Sequence, residues 1–88
     1  VKKLSEELQE VGKVTHFFAK ISVAVIELKA PVSVGDRILI KGPTTNLEQT
    51  VESMEIEHEK VTRAEAGQSI GLRVDDRVRE NDTVYKIA

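Results

Sequence analysis

The sequence has 88 residues, no cysteine, and 13 Lys or Arg against 15 Asp or Glu, for a formal net charge of −2. Such a length suits one domain and is too short for two. The lack of cysteine excludes disulfides and thiolate zinc sites, and the near-balanced charge argues against strong non-specific nucleic-acid binding, which needs a dense positive face.

Residues 1–10 differ from the rest of the chain. Leu4, Leu8 and Val11 recur at helical spacing, which allows one or two turns of amphipathic helix or an extended lead-in. They are read as a short N-terminal segment ahead of a single domain over residues 11–88. Val11 to Phe18 is the first expected strand, rich in β-branched and aromatic residues. After a tight turn at Ala19-Lys20, Ile21 to Leu28 is the second. Its apolar residues fall on both faces: Ile21, Val23 and Val25 on one, Ala24 and Ile26 on the other. Such a strand is central, or its outer face is covered. With no long helix to supply that cover, the outer face is expected to meet another protein or domain.

Ala30 to Asp36 reads as a loop, because Pro31 lacks a ladder donor and Gly35 accepts positive φ. Arg37 to Lys41 alternates cleanly, with Ile38 and Ile40 on one face. Gly42-Pro43-Thr44-Thr45-Asn46 is the strongest breaker and predicts a solvent loop between antiparallel strands. Gln49 to Glu59 is expected as one strand with Glu55, Glu57 and Glu59 on a solvated face. Val61 to Glu65 is expected as a helical turn. Ile70 to Val74 is the fifth strand, with Ile70, Leu72 and Val74 inward. Asp75 to Asp82 is a charged loop, and Val84, Tyr85 and Ile87 close the chain in a last strand. Short strands with turn signals about every ten residues predict an all-β fold, a small closed antiparallel barrel whose closure removes exposed edges.

No catalytic constellation emerges. The sequence has no phosphate-binding glycine loop and no dinucleotide fingerprint. Ser33, Ser53 and Ser69 lack a nucleophile signature. His16 and His58 lie far apart, and Glu57 and Glu59 beside His58 would point to the opposite face of a strand. Three carboxylates on one face repel and stay solvated, whereas a catalytic pair needs contrasting environments. The expectation is a chain that is not an enzyme, with no catalytic, cofactor or metal residue and no cofactor. The longest apolar run, Val23 to Ile26, is far short of the ~20 residues of a membrane span. No segment resembles a secretion signal. A cytoplasmic chain without a membrane partner is therefore expected. The aromatics Phe17, Phe18 and Tyr85 are too few for a base-stacking platform.

From Val34 onward the chain resembles domain II of the translation GTPases of the elongation factor Tu type. Val34-Gly35-Asp36-Arg37-Ile38-Leu39-Ile40 is similar to the valine-glycine-acid turn and strand of that family. Thr50 to Ile56, Ala64 to Leu72 and Arg79 to Val84 come after it in the same order. The strand Ser22 to Leu28 lacks the glycine that shapes the aminoacyl-tRNA pocket, so no pocket residue is carried over. The glycine-poor strand is also similar to the accessory C-terminal barrel of collagenase-like peptidases linked to RNA modification. The resemblance implies a non-catalytic module contacting tRNA or the ribosome through Arg37, Lys41, Thr44, Thr45, Asn46 and Arg73, which a closed barrel would gather. The alternative is a protein-interaction module pairing with itself or with a separate enzyme subunit, its oligomeric state left open.

Overall fold

Strand β1 (Leu8–Phe18) is the longest, and it lies between β2 (Val23–Leu28) and β10 (Thr83–Ile87), antiparallel to both. The computed structural model describes residues 8–87. Two register offsets interrupt β1, one between Glu10 and Gly12 against β10, the other between Val14 and His16 against β2. Each offset moves the inward parity by one residue, since side chains alternate along a strand. Val11, Val14 and Phe17 can therefore all turn toward the core, while His16 and Phe18 point out. Gly12 sits opposite Val84 on one side and Leu28 on the other. A Cβ there would stand 2.7 Å from the Glu27 carbonyl oxygen and 2.8 Å from Ile26 Cγ2, closer than packing permits.

The remaining strands are β3 (Val32–Ser33), β4 (Arg37–Lys41), β5 (Asn46–Thr50), β6 (Met54–Ile56), β7 (Glu59–Val61), β8 (Arg63–Ala64) and β9 (Ser69–Arg73). The fold of the described residues is all-β and antiparallel, without a helix. Eight strands form one sheet in the order β5-β4-β10-β1-β2-β9-β6-β7, and β3 pairs with β8 separately. Ile38 and Ile40 of β4, Ile70 and Leu72 of β9, and Val74 beyond it are buried, as their alternation predicts. Ala24 and Ile26 join them from β2.

The sheet does not close as a ladder. Its order ends on β5 and β7, and the closed barrel expected from sequence is corrected to an open sheet that curls. Gln49 of β5 shows the curl. It is 5% exposed, its Nε2 donates to the Arg73 carbonyl at 2.9 Å, and its Oε1 accepts from Asp75 N–H at 2.8 Å. Arg73 belongs to β9, five places along the sheet order from β5. One buried amide thus spans the gap that backbone pairing leaves. A second tie runs from the turn after β3. Val34 N–H donates to Thr62 O, Gly35 N–H to Val51 O, and Val51 N–H to Asp36 O. Gly35 supplies the positive φ (98°) that this turn uses, and the Asp36 carboxylate accepts from Ser33 N–H at 2.8 Å.

Three local expectations are also corrected. Gln49 to Glu59 is not one strand. Glu57 and His58 form a two-residue hairpin turn joining β6 to β7, with φ of 51° and 67°. Positive φ at both central residues is the geometry favoured by strand twist and usually marked by Asn-Gly. Here no glycine or asparagine signals it, so Glu55, Glu57 and Glu59 do not share one strand face. The expected helical turn at Val61 to Glu65 is instead the end of β7 followed by β8, because Val32 and Ser33 pair with Ala64 and Arg63. The same pairing turns part of the expected loop Ala30 to Asp36 into β3. Of the proposed N-terminal segment, residues 1–7 and the helical turn suggested there lie outside the described residues, and Leu8 to Glu10 open β1.

Replacing Gln49 with Leu keeps the volume and strands the Arg73 carbonyl and the Asp75 N–H. The expected cost is about 2 kcal/mol, read as a Tm fall of roughly 8–16 °C. An unchanged Tm would show that the amide does not join the sheet ends. The pair Glu57→Asn and His58→Gly should raise stability by roughly 1 kcal/mol, because both residues favour the turn's φ values. Urea titration of the double variant measures this.

Candidate functional site

The residues singled out from sequence do not assemble into one cluster. Lys41 and Asn46 are register partners at the closed end of the β4–β5 hairpin. Arg37 lies at its other end, opposite Thr50, where Nε donates to Glu48 at 2.9 Å and Nη1 to Thr50 Oγ1 at 3.1 Å. That guanidinium is already engaged, in a half-exposed pair. The loop between is a built turn. Gly42 and Thr45 exchange backbone hydrogen bonds, and Thr45 is buried, so its hydroxyl is not presented to solvent as expected. Thr44 is exposed. Arg73 stands on β9, where its carbonyl meets Gln49 of β5 across the curl, but its side chain lies beside Ile21, Val23 and Lys60, away from Lys41, Thr44 and Asn46.

The reason for the loop's shape lies in Asp82, only 2% exposed. Its Oδ2 accepts from Arg79 N–H at 2.8 Å, and its backbone carbonyl accepts from Val14 N–H at 2.9 Å. The carboxylate packs on Gly42, where any Cβ would overlap it. Gly42 is therefore a packing requirement, with its neighbour supplied by a distant loop.

A different surface leaves apolar side chains exposed around a groove. On the outside of β2, β9 and β6, a groove with about 310 Å³ of space at one end and about 270 Å³ at the other runs over Gly71. Ile21 and Val23 line both ends, Phe18 and Val25 the second. Phe18 is 46% and Ile21 61% exposed, a large apolar cost to leave in water. Gly71 keeps unbroken register with Val25 and Glu55, so the bulge that a mid-strand glycine suggests is not there. Lys60 and Arg73 border the first end, and Glu57 and His58 the second.

The remaining ion pairs are peripheral. His16 Nδ1 lies 3.2 Å from Glu80, and Lys86 Nζ 3.4 Å from Asp36. Glu10 holds the Lys29 ammonium above its ordinary pKa by hydrogen bond and charge, and Glu65 does the same for Arg63. Both cations are solvated, so these contacts place charge without building a site. Among the described residues no three His, Asp or Glu side chains gather in a metal-binding group, and no serine hydroxyl is hydrogen-bonded to a histidine or carboxylate.

The family model described as Peptidase family U32 C-terminal domain matches residues 6–84, and the chain belongs to that family. An uncharacterised protease of Methanocaldococcus jannaschii is 46% identical over 77 residues, 86% of this chain and 19% of the relative. A collagenase of Porphyromonas gingivalis is 37% identical over 78 residues, 86% of this chain and 22% of the relative. The chain thus spans about a fifth of the length of these relatives. The solved C-terminal domain of a Geobacillus thermoleovorans protein described as a U32 peptidase shares the fold. Its TM-score is 0.83 at 18% identity, over 89% of this chain and 91% of that one.

These matches correct the resemblance to elongation factor domain II, and with it the translation-related, RNA-contacting role. The residues from Val34 on were turn glycines, an acid after glycine and alternating strands. Those features answer to turn geometry and pleat, which small β-domains of different function share. The similarity to the accessory domain of collagenase-like peptidases agrees with the family match.

The stability of the hairpin end should depend on Asp82 rather than Arg37. Asp82→Ala, which leaves the Arg79 N–H unpaired, should cost about 2 kcal/mol. Arg37→Ala, at a solvated pair, should cost below about 1 kcal/mol. Thermal melts of the two variants measure the difference, and the reverse order would contradict the placement.

Proposed function

We propose that this U32 C-terminal domain is a non-catalytic accessory module that works by protein–protein contact, its curled sheet serving as an open barrel that displays one apolar outer face. The observation that carries this reading is the face itself. Phe18, Ile21, Val23 and Val25 lie on the outside of the sheet, where an unpartnered surface would favour polar side chains. Among the described residues the interior is filled by Ile26, Ile38, Ile40, Met54, Ile70 and Leu72.

Peptide hydrolysis needs an activated nucleophile or water held by a base. The arrangement of Ser33, Ser53, Ser69, His16 and His58 supplies no such pair among the described residues, which supports a helper role in a peptidase-family protein. The relatives' names, protease and collagenase, give the substrate class to try. The purified chain should release no fragments from denatured collagen above the buffer control. Release that tracks the chain through purification and disappears on Ser→Ala substitution would contradict a non-catalytic module.

A further inference from the structure

Register lines up Val25, Gly71, Glu55 and Lys60 in one row over the outer face, and Phe18, Val23 and Arg73 in the next. Gly71 leaves a notch in the first row. Nothing among the described residues demands glycine at that point. Its φ is not positive, and an added Cβ would rest 3.4 Å from Val23 Cγ1 and 4.0 Å from the Glu55 carbonyl oxygen, ordinary contacts. A glycine inside a strand weakens it, and where no bulge or bend explains it, close approach of another chain is a reason for it.

The charges around the notch are arranged as well. Glu55 faces Lys60 across the β6–β7 pair. Glu57 remains at one end of the groove and Arg73 at the other, and neither makes an ion pair among the described residues. The groove therefore has a projecting apolar residue, Ile21, beside a notch, with opposite charges at its two ends. A two-fold axis through its centre exchanges those ends, and an isologous contact requires such exchange. The two acids and two bases also balance, so two such faces meet without net repulsion.

We propose that this face pairs with a second copy of the chain. Ile21 of each copy seats over Gly71 of the other, and Arg73 of each faces Glu57 of the other. The proposal rests on the reading of the chain as a protein-interaction module and is independent of its catalytic status.

Sedimentation equilibrium of the purified chain tests it. A modest interface should give monomer at about 1 µM and mostly dimer at about 100 µM. Gly71→Val fills the notch and suits a strand, so it should keep or raise the Tm while leaving the chain monomeric. Arg73→Glu alone and Glu57→Arg alone should each weaken pairing about tenfold, and the two together should restore it. Should Gly71→Val fail to fold, the charge-reversal set decides. A wild-type chain that stays monomeric to about 1 mM, a Gly71→Val chain that still pairs, or a double reversal no better than the singles overturns self-pairing. None of those results touches the collagen assay, so the two readings fail separately.

Discussion

The fold depends on how tightly β1 is held between its two neighbours. At Gly12 three backbones meet, with Val84 on one side and Leu28 on the other, and the Glu27 carbonyl occupies the place of a side chain. The two offsets on either side of this contact let one strand send Val11, Val14 and Phe17 inward despite their mixed spacing. Bulges bend a strand and increase its twist. The bend lets a sheet of eight strands curl until Gln49 of β5 reaches the carbonyl of Arg73 on β9. Without it, the buried faces of β4, β9 and β10 would not enclose a common core.

Curling also divides the molecule into a full interior and an exterior with unequal sides. Buried aliphatic side chains occupy the inside of the described residues. Most outer positions carry charges, such as Lys13, Glu27 and Arg37. Between Glu27 of β2 and Arg73 of β9, Val23, Val25 and Gly71 form an uncharged stretch, and there the chain leaves apolar Phe18 and Ile21 exposed beside a glycine that the packing of the described residues does not explain.

Much of this was legible in the residues. Arg37 to Lys41 alternates because β4 has one buried face, and Ile70, Leu72 and Val74 alternate for the same reason. Strand β2 is apolar on both faces, and that pattern pointed to a central strand, which its pairing with β1 on one edge and β9 on the other shows it to be. What stayed hidden has physical causes too. Bulges in β1 leave no mark in residue type, so the inward parity of Phe17 could not be read from its neighbours. The turn at Glu57-His58 takes positive φ without glycine or asparagine, and strand propensity on either side concealed it. Thr45 looked like a solvent residue of a Gly-Pro turn, yet it is buried in a loop that packs on a carboxylate from a distant part of the chain. The elongation-factor resemblance misled because turn and strand chemistry is shared by small β-domains whose functions differ.

The most direct test of the outer face is a dilution series monitored by methyl NMR of the intact chain. If that face is a contact surface between copies, the methyl signals of Ile21, Val23 and Val25 shift with concentration, while those of the buried Ile38 and Ile40 stay fixed. Outer-face signals that hold still across the series, or core signals that move with them, would contradict the account.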